Sequence, residues 1–203
     1  MIIIIEGSQG SGKTHLIRSL KKSIQRHALN QDIIFYKYQH VQHMKTLDIN
    51  HIEPNECFHY FTISNTLTIL ELQKTILKNK ILVFDRGLFS AYAWSILRKR
   101  LERDTLNKEL SRLLKSDIYS NCHVIRVKAD SQMERDHSDI FDRYADPERE
   151  NFILDDLLEE NMQQITDQGR KNTYTEVFNH MDKLSEASMY QVFNKILSFK
   201  LNK

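Results

Sequence analysis

Eight consecutive residues, Gly7-Ser8-Gln9-Gly10-Ser11-Gly12-Lys13-Thr14, satisfy the pattern G-x-x-x-x-G-K-[ST] without a mismatch. Their chemistry is that of a phosphate cradle. Gly7, Gly10 and Gly12 can take backbone angles that a β-carbon forbids, so successive N–H groups, those of Ser8, Gln9 and Ser11 among them, turn inward on a di- or triphosphate. Lys13 is spaced to reach the β- and γ-phosphates, and the Thr14 hydroxyl to hold Mg²⁺. A second chemical pair is Asp85-Arg86. A carboxylate at the tip of an apolar strand can bind Mg²⁺ directly or through water, and a neighbouring guanidinium offers a planar five-donor fork suited to a second phosphate. The plainer reading of that pair is an Asp cap followed by a surface Arg.

The phosphate cradle needs a buried strand before it and a helix after it. Ile2 to Ile5 is a run of β-branched residues suited to a parallel strand covered on both faces. Leu16, Ile17, Leu20, Ile24 and Leu29 recur at helical spacing, predicting a helix over about 13–29 whose dipole supports the same anion. Further strands are predicted at 32–37, 81–84, 123–127 and 175–181. Helices are predicted at 55–79, 88–103, 105–116, 152–165 and 186–199. This alternation implies one α/β domain over 1–203, a three-layer, doubly wound parallel sheet of about five strands with helices on both faces. Its ligands belong at the carboxyl ends of the strands. The stretch from about 133 to 150 is dense in charge and poor in large apolar side chains, and reads as a small mobile lid.

Composition narrows the classes further. A net charge of +2 gives no broad attraction to nucleic acid or to membranes. The N-terminal apolar run is too short for a signal peptide or a membrane span. Cys57 and Cys122 carry no metal or redox spacing, which suits reduced thiols in a cytoplasmic setting. His40, His43, His51 and His59 cluster in sequence, but no pair has a zinc spacing with further ligands.

Taken together, the motifs resemble the thymidylate kinase family of nucleoside-monophosphate kinases. That family opens on strand-Glu-Gly-x-[Asp/Glu]-x-x-Gly-Lys-[Ser/Thr], matched from Glu6 to Thr14. It continues with Asp-Arg-Tyr-x-x-Ser-x-x-Ala-[Tyr/Phe], where this chain has Asp85-Arg-Gly-Leu-Phe-Ser-Ala-Tyr-Ala-Trp94, and its lid carries an acid followed by Arg-[Phe/Tyr]-Glu, where this chain has Asp142-Arg143-Tyr144-Ala145 with Ala for the Glu. The resemblance implies ATP and Mg²⁺ as cofactors and a small-molecule nucleotide as acceptor. It implies that Arg86 grips the acceptor 5′-phosphate, that Phe61 stacks on the base, and that Asn65 lies where the family places a base-binding Arg. Ser90 and Trp94 would lie beside the acceptor, and Arg143 or Arg135 would close from the lid on the transferring phosphoryl group. The family also pairs through helices, and the apolar face of 88–101 would allow a homodimer.

The departures bear on specificity. Gln9 stands where the family has Asp or Glu against the sugar 3′-hydroxyl, and Gly87 replaces a Tyr ring beside the sugar. The Pro-containing loop after the second strand is absent, so Lys37 or His40 would have to serve the acceptor there. Asn65 in place of Arg loosens the expectation of thymine, since an amide pairs with several bases. Two alternatives stay open: the same fold phosphorylating a nucleoside or a polynucleotide 5′-hydroxyl, and a nucleotide-binding regulatory protein without catalysis.

Overall fold

The computed structural model describes residues 2–26, 33–37, 80–97, 102–116, 122–129, 146–167, 173–180, 183–184 and 186–201. The phosphate-loop strand β1 (Ile2–Glu6) lies at the centre of the sheet, and helix α1 (Lys13–Arg26) leaves the loop that follows it. After β2 (Ile33–Lys37) and β3 (Ile81–Asp85) come α2 (Leu88–Leu97) and α3 (Arg103–Leu114). The chain then forms β4 (Cys122–Ala129), α4 (Pro147–Asp167), β5 (Thr173–His180), the short β6 (Lys183–Leu184) and α5 (Glu186–Leu201).

The sheet order is β2-β3-β1-β4-β5-β6. The first five strands run parallel, as the sequence predicts, and β6 adds an antiparallel edge through Asn179↔Leu184 and His180↔Lys183. The four isoleucines of β1 explain the layering. Side chains alternate along a strand, so Ile2 and Ile4 face one way and Ile3 and Ile5 the other. Ile2 and Ile4 join α2, α3 and α4 in one core that includes Phe89, Tyr92, Leu110 and Leu157. Ile3 and Ile5 join α1 and α5 in a second core that includes Leu16, Leu20, Val192 and Ile196. A strand buried on both faces has no polar positions to spare, which is why it reads as an unbroken apolar run.

One element boundary differs from the sequence expectation with a consequence for the site. Residues 147–150, assigned to the charged lid, are the first turn of α4. Pro147 suits the first helical position, Asp146 caps the turn by accepting from Arg149 N–H at 3.0 Å, and Glu148 and Glu150 complement the dipole. The rest of the lid, the helix predicted at 55–79, and His40, His43, His51, His59 and Cys57 lie outside the described residues. Leu88, Phe89, Tyr92 and Ala93 of α2 are buried in the chain's own core. Among the described residues no helix is long and apolar enough to cross a membrane.

Candidate functional site

The carboxyl ends of β1, β3, β4 and β5 gather around the loop at 7–12, where an open parallel sheet places its ligands. Gly10 and Gly12 have φ of 81° and 92°, the left-handed region that the motif requires of them. At Gly12 the surroundings add a second constraint. A β-carbon there would come within 2.2 Å of Asn179 Nδ2. Asn179, buried near the end of β5, donates through that nitrogen to the Ser11 carbonyl at 3.2 Å. The last long strand thereby braces the loop.

Lys13 is buried, and its ammonium donates to the Ser8 carbonyl and to Ser11 Oγ (3.3 Å for the second). Burial pulls its pKa down to about 7, and the nearby Arg86 guanidinium pushes the same way. The carboxylates of Glu150 and Asp85 oppose that shift. Thr14, by contrast, is exposed at the start of α1.

Arg86 follows β3, and its backbone adopts φ 67°. Its N–H donates to the Ile5 carbonyl at 2.9 Å, which ties the turn to β1. Its Nη1 donates to the Gly7 carbonyl at 3.3 Å and to Glu150 Oε1 at 3.1 Å. Glu150 closes the circuit, since its Oε2 accepts from the Gln9 N–H at 2.8 Å. Motifs almost eighty residues apart in the chain thus meet at one carboxylate. Asp85 pairs in register with Ile5 of β1 and is partly exposed. It presents a hard oxygen donor of the kind Mg²⁺ takes.

Glu6 is fully buried at the end of β1 and accepts from Ser90 Oγ through Oε2, while Oε1 has no hydrogen-bond partner among the described residues. Burial raises its carboxyl pKa above the ordinary value, against the opposing effects of Ser90 and Arg86. Ser90, expected beside an acceptor, is buried on α2 and donates its hydroxyl to Glu6. Gly87 has a packing reason of its own: a β-carbon there would fall 2.5 Å from Ile4 Cγ2 and 3.2 Å from Glu6 Oε1. Phe61, Asn65, Arg135 and Arg143 lie outside the described residues, as do the side chains of Lys37 and Trp94. Among the described residues no group of three His, Cys, Asp or Glu side chains could hold a metal ion.

Sequence reasoning passed over Glu150, Asn179 and the role of Glu6. Glu6 carried a signal, being a carboxylate at the end of an otherwise apolar strand. Asn179 carried a weaker one, a polar residue near the carboxyl end of a strand. Glu150 carried none, because the charged stretch around it masked the helix start.

Comparison with known proteins finds thymidylate kinases. A thymidylate kinase of Mycoplasma genitalium is 29% identical to the chain over 114 residues, and the match spans 53% of this chain and 54% of that relative. The crystal structure of thymidylate kinase from Ehrlichia chaffeensis superposes with a TM-score of 0.63 at 14% identity, covering 98% of this chain and 97% of that one. Thymidylate kinase from Candida albicans gives a TM-score of 0.65 at 14% identity, covering 100% and 93%. The chain resembles thymidylate kinases in sequence and in fold. No family model matches it. The likeness in fold extends over nearly the whole chain, whereas the sequence likeness covers about half.

Proposed function

We propose that the chain is a nucleotide kinase, most like a thymidylate kinase, which moves the γ-phosphoryl group of ATP to the 5′-phosphate of a (deoxy)nucleoside monophosphate. The observation that carries this reading is the contact between Arg86 and the phosphate loop at the Gly7 carbonyl. A donor cradle and an acceptor fork then serve one site, as a transfer between two phosphates requires. The sequence and fold likeness to thymidylate kinases supports the same reading and makes dTMP the first acceptor to try.

In the reaction an oxygen of the acceptor phosphate bonds to the γ-phosphorus as the bond to the β,γ-bridging oxygen breaks, leaving ADP. The loop amides and Lys13 hold the donor phosphates, and Arg86 holds the acceptor. Thr14 and Asp85 are the oxygen donors that would hold Mg²⁺, which offsets charge on the β- and γ-oxygens. Lys13 must be an ammonium to do this, and bound phosphate restores the proton that burial disfavours.

The test is an ADP-release screen with ATP and a panel of dTMP, dUMP, dAMP, dGMP, CMP and the free nucleosides. Turnover with one or more monophosphates is expected. Turnover with nucleosides alone would move the assignment to nucleoside phosphorylation, and ATP binding without any transfer would leave only a nucleotide-binding protein.

A further inference from the structure

We infer that Glu150 is a built-in competitor for phosphate, whose carboxylate holds the Gln9 amide and the Arg86 guanidinium until an incoming anion displaces it. The Gln9 N–H belongs to the loop whose amides turn toward an anion, and it donates to Glu150 Oε2 at 2.8 Å. Arg86 Nη1 donates to the other oxygen, Oε1, at 3.1 Å. Both oxygens of one carboxylate therefore take up the donor types that a phosphate uses. The Glu150 and Arg86 side chains are only 3% and 16% exposed, so water screens the contact poorly. An N–H cannot serve two strong acceptors at full strength, and a second anion beside Glu150 would meet its charge at close range. Phosphate and Glu150 therefore exclude one another at Gln9.

The architecture allows the exchange to be local. The body of α4 is held to the sheet by Arg126, whose Nε donates to Asp155 Oδ1 at 3.0 Å and whose Nη2 donates to Asn151 Oδ1. Glu150 precedes Asn151 in the first turn, so swinging its side chain needs no movement of the helix. A permanent brace for Arg86 is the opposing interpretation, and it predicts the opposite sign on removal of the carboxylate.

This inference deepens the kinase reading and rests on it only for which anion arrives. The probe is inorganic pyrophosphate, titrated calorimetrically into the wild type, Glu150→Gln, Glu150→Asp and Glu148→Gln. Glu150→Asp keeps the charge but shortens the side chain by one methylene, so it separates direct contact from the general field. If the carboxylate fills the site about nine-tenths of the time, freeing it tightens pyrophosphate binding about tenfold. That gain is expected in both Glu150 variants, with less than a twofold change in Glu148→Gln. Unchanged or weaker binding in the Glu150 variants would overturn the inference, as would a gain confined to Glu150→Gln. Should Glu150→Gln fail to fold, Glu150→Asp against Glu148→Gln still decides. Pyrophosphate needs neither an acceptor nor a transfer, so failure of the monophosphate screen and failure of this titration are separate results.

Discussion

At the scale of single residues, the site is a set of charges held closer together than water would allow. At Lys13 burial lowers the pKa from 10.5 to about 7. The unfolded chain binds its proton up to about 10.5 and the folded chain only up to about 7, so this group makes the protein more stable as pH rises across that window. Phosphate binding has the opposite dependence, since it needs the ammonium. Above pH 7, ATP affinity in the wild type should fall by up to about tenfold per pH unit relative to Lys13→Met, which cannot titrate. Calorimetry at pH 8 in buffers of different ionisation enthalpy should report proton uptake with ATP in the wild type and none in the variant. Arg86→Ala should lower monophosphate turnover by about 10²–10³, the range for removing one preorganised electrostatic donor. Steady-state ADP release with saturating ATP checks this, and near-normal turnover would remove Arg86 from the acceptor's grip.

At the scale of elements, Asn179 from β5 braces the loop, while the first turn of α4 brings to it the Glu150 carboxylate that an anion would displace. Gly12→Ala meets both a left-handed backbone and Asn179 Nδ2 at 2.2 Å. Relieving the contact with Asn179→Ala should recover only part of the lost ATP affinity, because the backbone strain, about 1–2 kcal/mol, persists in the double variant. Full recovery would mean that the clash alone mattered. The anchor of α4 can be probed at Asp155, which pairs with the fully buried Arg126 and with Lys128. Asp155→Ala should cost on the order of 2 kcal/mol, below the usual range for breaking a buried pair because Asp155 is itself 40% exposed. Urea unfolding reads this as a lower midpoint with an unchanged slope.

Elements were also where the sequence was most legible. The isoleucine run forms β1, the glycine loop takes left-handed angles at Gly10 and Gly12, and the stripe at helical spacing forms α1. The start of α4 was missed because Asp146, Pro147 and Glu148 look like solvated loop when judged by charge, although the same residues are good cap and first-turn residues. Position on a helix after Arg86 fixes the neighbourhood of Ser90, but not its hydrogen bond to Glu6, 84 residues away in the chain. Contacts such as Glu150 to Gln9, 141 residues apart, leave no local pattern to find.

For the molecule as a whole, one sheet separates two cores that, among the described residues, share no side chains. Leu20 lies in the α1–α5 core and Leu157 in the core under α2, α3 and α4. Each Leu→Ala change should cost about 3 kcal/mol, and the pair should add to within about 0.5 kcal/mol by denaturant unfolding. A larger coupling would mean that the two layers communicate through β1. The left-handed backbone of Arg86 also has a consequence for the molecule as an evolved compromise. Any residue with a β-carbon held there stores about 1–2 kcal/mol that glycine would release. Arg86→Gly should therefore outlast Arg86→Ala on heating, though both lack the guanidinium. Thermal hardiness selected at this position would favour a sturdier molecule that has given up its chemistry, so the tension kept in the turn marks where selection has favoured work over endurance.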